Sequence, residues 1–350
     1  MAGTTDQSFE DALLAAPVGV ALLAGLEAAQ RDDLVRVEAP IESDPRAVQR
    51  AVDALEAMSF GRLVATAVEV GQSFASPWRS GEAPMQLAHA YHGAHDRRPI
   101  AEAVAARFGA ELHSTTTVGP QEWWLSYDPN NDWFRRPLFA PLAEVYGNGE
   151  FTSRGLWTVT DPPAEAHLDL LGAWEMDDRS ISRWALPVAP GARVWQVHRP
   201  ADWVGLVTAY PKVATEAHSG WELPGPNQHR AEINTLLDAP GQHAARTTIG
   251  RHVLPDWRAV ATDYDGVHLS WAGFLTTEGF VSDLHGGGVT MLRYWFSERT
   301  LWLADVFGEP VPLPEPTLPG WVEQITAIDP RKDPGRRAQD REIIRAQIGR

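Results

Sequence analysis

The sequence predicts an α+β fold, and three observations carry that expectation. Apolar residues recur at helical spacing through most of the first 110 residues. From Leu112 the texture changes to short alternating runs rich in Trp, Val and Thr, punctuated by Gly, Pro and Asp turns. Helix starts of the Pro-Asp-Trp kind then recur between those runs. The expected organisation is a mainly helical half over residues 1–150, a mixed sheet and helix half over 151–320, and a basic C-terminal helix in a tail over 321–350.

Residues 9–30 read as one or two helices broken near Pro17, with Phe9, Leu13, Leu14, Val20, Leu23 and Leu26 as apolar contacts. A charged connector over 31–42 leads to Ser43, Asp44 and Pro45, a capping side chain followed by proline in the first helical turn. That helix is expected to run toward Ser59, and residues 60–70 to continue it past Gly61. Residues 76–84 read as a loop. Pro99 to Phe108 form a helix that Gly109 is expected to end.

Strands are expected at 114–118, 123–127 and 155–160, followed by a helix from Asp161 to about Trp174. Two more strands, 183–188 and 193–198, flank the turn at Ala189, Pro190 and Gly191, and a helix runs from Pro200 to Ala209. Its start is echoed at Pro255, Asp256 and Trp257, a faint sign of internal duplication. Residues 211–229 read as loop and 230–237 as helix. Alternation over 267–275 predicts a strand with Val267, Leu269 and Trp271 on the core face and His268 and Ser270 opposite. Runs at 290–296 and 301–307 suggest a hairpin with Glu298 and Arg299 at its tip. The proline-rich stretch after Pro310 suits an extended strap.

The formal net charge of −16 argues against nucleic acid as the main partner and against anionic membranes, because both need clustered Lys and Arg. The absence of cysteine excludes disulfides, thiolate metal sites and a cysteine nucleophile. The first residues lack a basic n-region, and the apolar run at 12–26 is short and holds Pro17, so a cytoplasmic chain is expected. The tail from Asp329 carries seven basic against four acidic residues and the isoleucines 343, 344 and 348, which would let it dock on its own acidic body.

His89, His92 and His95 form the one metal-like cluster, but no supporting carboxylate stands at a recognisable spacing, so no metal and no cofactor is expected. His285 to Gly288 match an esterase oxyanion loop, yet no Gly-x-Ser-x-Gly elbow accompanies them, and a turn between strands explains the glycines. Gly147, Asn148 and Gly149 lack the third glycine of a phosphate loop.

What remains is an acid–base set: Asp265, His268 and Glu298 as catalytic candidates, with Arg193, His198, Trp271 and Arg299 to bind substrate. Carboxylate, histidine and arginine together suit glycosyl or ADP-ribosyl transfer or hydrolysis on a sugar- or nucleotide-like ligand. Fifteen tryptophans offer stacking platforms for such a ligand or fill the core. The alternative is an acidic, Trp-rich interaction module of the inhibitor or immunity type, presenting that surface to a basic protein. Convergence of side chains from separate strands in one concave pocket favours the enzyme, and a flat acidic face with exposed Trp favours the module. Nothing in the sequence fixes an oligomeric state.

Overall fold

The computed structural model describes residues 7–30, 43–75, 90–114, 121–127, 156–160, 163–164, 166–167, 180–213, 253–284, 287–293, 295–314 and 316. Within them the fold is α+β, a helical layer packed on a mixed sheet. The helices are α1 Phe9–Ala15, α2 Pro17–Ala28, α3 Pro45–Ala57, α4 Phe60–Ala75, α5 Arg98–Leu112, α6 Pro200–Ala209, α7 Trp257–Asp263 and α8 Trp271–Thr277. The strands are β1 Gln121–Tyr127, β2 Leu156–Thr160, β3 Ser180–Leu186, β4 Val194–Val197, β5 Pro211–Val213, β6 Val253–Pro255, β7 Gly266–Leu269, β8 Val281–Asp283, β9 Val289–Met291, β10 Arg299–Trp302 and β11 Val311–Leu313.

The expected break at Pro17 is present: Ala16 is extended, and Pro17 opens α2 at a position whose amide has no helical partner. α2 is apolar on nearly every side and packs against α1, α3, α4 and α8, which makes it the centre of the helical layer. No single described helix is long and apolar enough to cross a membrane; α1 and α2 together have that length and composition, bent by 88°. Asp44 caps α3 through Arg46 N, as the Ser-Asp-Pro start predicts. Gly109 does not end α5, which continues to Leu112. In mid-helix its backbone is helical like any other residue, and the carbonyl instead receives the His113 ring at 2.8 Å.

The main sheet has the order β11-β3-β1-β2-β10-β7-β4, antiparallel except for the parallel pair β4 and β7. One core cluster runs from Leu13, Leu23 and Val68 in the helices to Val197, Val267, Leu269 and Leu301 on the sheet. On the opposite face Leu156, Leu186 and Trp302 gather Trp123, Trp184 and Val194 into a smaller cluster. β3 and β4 are not the neighbours their shared turn suggests. In a flat sheet the five strand spacings between them would be about 24 Å at about 4.8 Å each. The link over 187–193 is shortened by a turn closed from Ala192 N to Ala189 O at 3.0 Å, so the sheet must curl to bring its edges together.

Two expected elements are built differently. The alternation over 267–275 ends at Leu269: Ser270 caps α8, its Oγ accepting from Gly273 N at 3.0 Å, and Trp271 onward is helix. A serine followed by small and apolar residues buried on all sides satisfies both periods, and the cap decides in favour of helix. The hairpin over 290–307 is also absent. β9 pairs with β8 in a separate two-stranded sheet around Gly287 and Gly288, while β10 enters the main sheet between β2 and β7. α7 begins after Asp256 and α6 at Pro200 as expected, and β11 is the extended piece after Pro310. The expected elements at 31–42, 76–84, 114–118 beyond Ser114 and 230–237, and the basic tail, lie outside the described residues.

The close approach of α8 to β4 depends on Gly273, where a Cβ would stand 2.1 Å from Val197 O. Gly273→Ala is expected to destabilise by about 1–3 kcal/mol by forcing these two elements apart. Denaturant unfolding would check this, and a midpoint equal to wild type would contradict the contact.

Candidate functional site at the end of the sheet

The registers place one row of residues across the end where β2, β4 and β7 terminate. Gln121 faces Thr160, and Thr300 faces Thr158, which puts Glu298 beside Thr160. Leu269 faces Arg299 and Val197, so Ser270 and His198 follow as neighbours. The C-terminal end of parallel strands is where open sheets with helical crossovers gather functional groups, because chain direction changes there.

Glu298 is 3 % exposed, far from the solvated tip that the sequence suggests. Its carboxylate oxygens both accept from Thr160 N at 3.2 Å, and Oε1 lies 3.4 Å from His268 Nδ1. Nδ1 is also 3.0 Å from Thr300 Oγ1. His268 points away from Val267 and Leu269, which enter the main core, as the alternation predicts. It faces a buried polar network instead of a cleft with Ser270. Trp302 Nε1 donates to Thr158 Oγ1 at 2.6 Å, Thr158 donates to Gln121 Oε1 at 2.6 Å, and Gln121 Nε2 donates to Thr160 Oγ1 at 2.9 Å.

Burial sets the protonation of the pair. It pushes the Glu298 carboxyl up to about 8, against the opposing pull of the Thr160 hydrogen bonds and of Arg299. Burial likewise pulls His268 down to about 3, helped by the nearby His198 ring. With the carboxyl raised and the imidazole lowered the pair is expected to be neutral at neutral pH, and both Glu298 Oε1 and Thr300 Oγ1 lie within reach of Nδ1. Phe296, two residues earlier, holds φ at 64°, a left-handed conformation that costs a non-glycine residue about 1–3 kcal/mol and commonly accompanies functional geometry.

His198 completes the row. Its Nδ1 lies 2.9 Å from Ser270 Oγ, and its backbone N donates to Asp202 Oδ2 at 2.9 Å. Burial holds its pKa below the usual range, with Asp202 opposing and His113 and Arg199 assisting. Arg299, partly buried, donates from Nε to Ser297 Oγ at 3.0 Å. Burial lowers its pKa to about 10, against the pull of Glu298 and Glu278.

Three expected site residues are elsewhere. Asp265 precedes β7 at its opposite end, three residues or about 10 Å from His268. It accepts from Arg193 N at 2.7 Å and ties the starts of β4 and β7 together. Arg193 is exposed beside it. Trp271 is buried in the core against Phe60 and Phe274, so it offers no stacking face. His92 and His95 are exposed and His89 lies outside the described residues; among the described residues no group of three or more His, Cys, Asp or Glu is arranged to hold a metal ion.

Gln121, Thr158, Thr160 and Thr300 escaped the sequence reading. Their signal was a polar residue at every second position of strands whose other face is apolar, as in Trp157, Thr158, Val159 and Thr160. Comparison with models of protein families, with curated proteins and with solved structures gives no match to this chain.

Proposed function

We propose that the chain is an enzyme of glycosyl or ADP-ribosyl transfer or hydrolysis, acting on a sugar- or nucleotide-like ligand by acid–base chemistry at the sheet end. The supporting observation is the buried Glu298–His268 pair, with a carboxyl that keeps its proton at neutral pH. A carboxylic acid in that state can protonate a departing oxygen or nitrogen as the bond to the anomeric carbon breaks. The carboxylate left behind faces the developing positive charge and then takes a proton from the incoming water or hydroxyl as the new bond forms. His268 is a positioning residue that accepts from Glu298 and fixes its orientation. With Asp265 at the far end of β7, one carboxyl serves both halves of the reaction.

Side chains from four strands meet in one buried polar network and not on a flat face, which favours the enzyme over the interaction module. All ten described tryptophans are buried or half-buried, so no exposed aromatic face exists among the described residues. The test is turnover by the full chain of nucleotide sugars, NAD and nitrophenyl glycosides, followed by chromatography, for wild type and Glu298→Gln. Release that depends on Glu298 is expected. No release from any of them, or equal release by both proteins, contradicts the proposal.

A further inference from the structure

The chain turns a corner just before Glu298. β9 belongs to the small sheet with β8, whereas β10 lies between β2 and β7 in the main sheet, so the chain crosses from one sheet to the other over 292–298. Trp295 pins the near side. It is fully buried, its ring meets Trp157 edge-on at 4.9 Å, and its backbone N donates to Glu278 Oε2 at 3.4 Å. Thr300 pins the far side, paired with Thr158 on β2 and with His268 on β7. Between these fixed points Phe296 holds its φ of 64°, with its side chain packed against the main core. Left free, a phenylalanine there would return to extended backbone and swing Glu298 with it.

Ser297 spans the corner. Its side chain is fully buried, and its Oγ donates to Glu298 O at 3.0 Å while accepting from Arg299 Nε at 3.0 Å. A hydroxyl fits this double role because it donates and accepts at once, and alanine does neither. One side chain thus fixes the backbone of the residue after it and the guanidinium of the next. The Glu298 carboxyl held in this way reaches Thr160 N at 3.2 Å and His268 Nδ1 at 3.4 Å.

We propose that Ser297 is a positioning residue, which clips the strained corner at Phe296 and so seats the Glu298 carboxyl against Thr160 N and His268. Its part in catalysis rests on the function proposed above. Its part in seating Glu298 does not.

The test is titration of the Glu298 carboxyl in the full chain, followed through its carbon-13 resonance and assigned by the loss of that signal in Glu298→Gln. Cutting the clip with Ser297→Ala should let the corner relax and the carboxyl reach water, raising its ionisation constant about tenfold or more toward that of an ordinary carboxyl. Ser297→Thr keeps the hydroxyl and should stay within about threefold of wild type. Arg299→Lys keeps the charge and removes the Nε donor; it should move the titration in the same direction as Ser297→Ala, and it decides alone if the alanine variant does not fold. An alanine variant that melts lower but titrates like wild type would leave Ser297 a structural role only and overturn the proposal. A threonine variant that titrates like the alanine one would do the same. A titration shifted by Ser297→Ala in a protein without turnover keeps the clip and removes the acid–base function, whereas Glu298-dependent turnover with an unshifted titration keeps that function and removes the clip.

Discussion

Turnover by Glu298→Gln is expected to fall by about 10²–10⁴-fold, the usual contribution of a positioned general acid. Glutamine keeps the shape of the neutral carboxyl, accepts from Thr160 N through its carbonyl and donates to His268 Nδ1 through its amide. The protein should therefore melt near the wild-type temperature at pH 6 to 7, and the loss should appear in kcat. Substrates with poor leaving groups should suffer most, because they need the proton most; nitrophenyl glycosides should suffer least. A loss of activity that merely follows a loss of stability would contradict a catalytic role.

Arg97→Met is expected to destabilise the protein by about 3–5 kcal/mol, the cost of leaving a buried carboxylate without its cation. Arg97 Nε donates to Glu27 Oε2 at 2.6 Å and Nη1 to Ala90 O at 2.6 Å, with the two side chains 5 % and 1 % exposed. Glu27 also accepts from Asp44 N at 2.8 Å, so the pair joins the end of α2 to the start of α3. Adding Glu27→Gln should restore part of the loss, since an uncharged carbonyl still accepts from Asp44 N. Denaturant unfolding reads both. A cost below about 1 kcal/mol, the range of solvated ion pairs, would show that the site is wetter than its burial implies.

The helices were legible because capping and proline chemistry act locally: Asp44, Pro45, Pro200 and Asp256 mark helix starts that tertiary packing leaves in place. The sheet was less legible because pairing is set at a distance. β3 and β4 look like a hairpin, and only the curl of the whole sheet sends them to different positions. His268 could be selected as a titratable residue in an apolar stretch, and Glu298 as a carboxylate beside an arginine in a polar turn. Asp265 was chosen for its closeness to His268 in sequence, and that failed because three residues along an extended strand put it at the other end of β7. Glu298 and Arg299 looked solvated because four polar residues in sequence resemble a turn, whereas they open a strand between β2 and β7.

Glu298 is expected to carry a proton in the folded protein at neutral pH. Its folded pKa near 8 lies above the unfolded value, so the folded state binds the extra proton and stability falls as pH rises through that interval. For His268, near 3 when folded and about 6.5 when unfolded, the unfolded state binds the extra proton and stability falls as pH drops below about 6.5. Between pH 6.5 and 8 only the Glu298 slope remains. Denaturant unfolding across that window, for wild type and Glu298→Gln, is the direct measurement. Wild type should lose up to about 2 kcal/mol while the glutamine variant stays level. Parallel curves would mean that Glu298 is already ionised in the folded protein and has no proton to give.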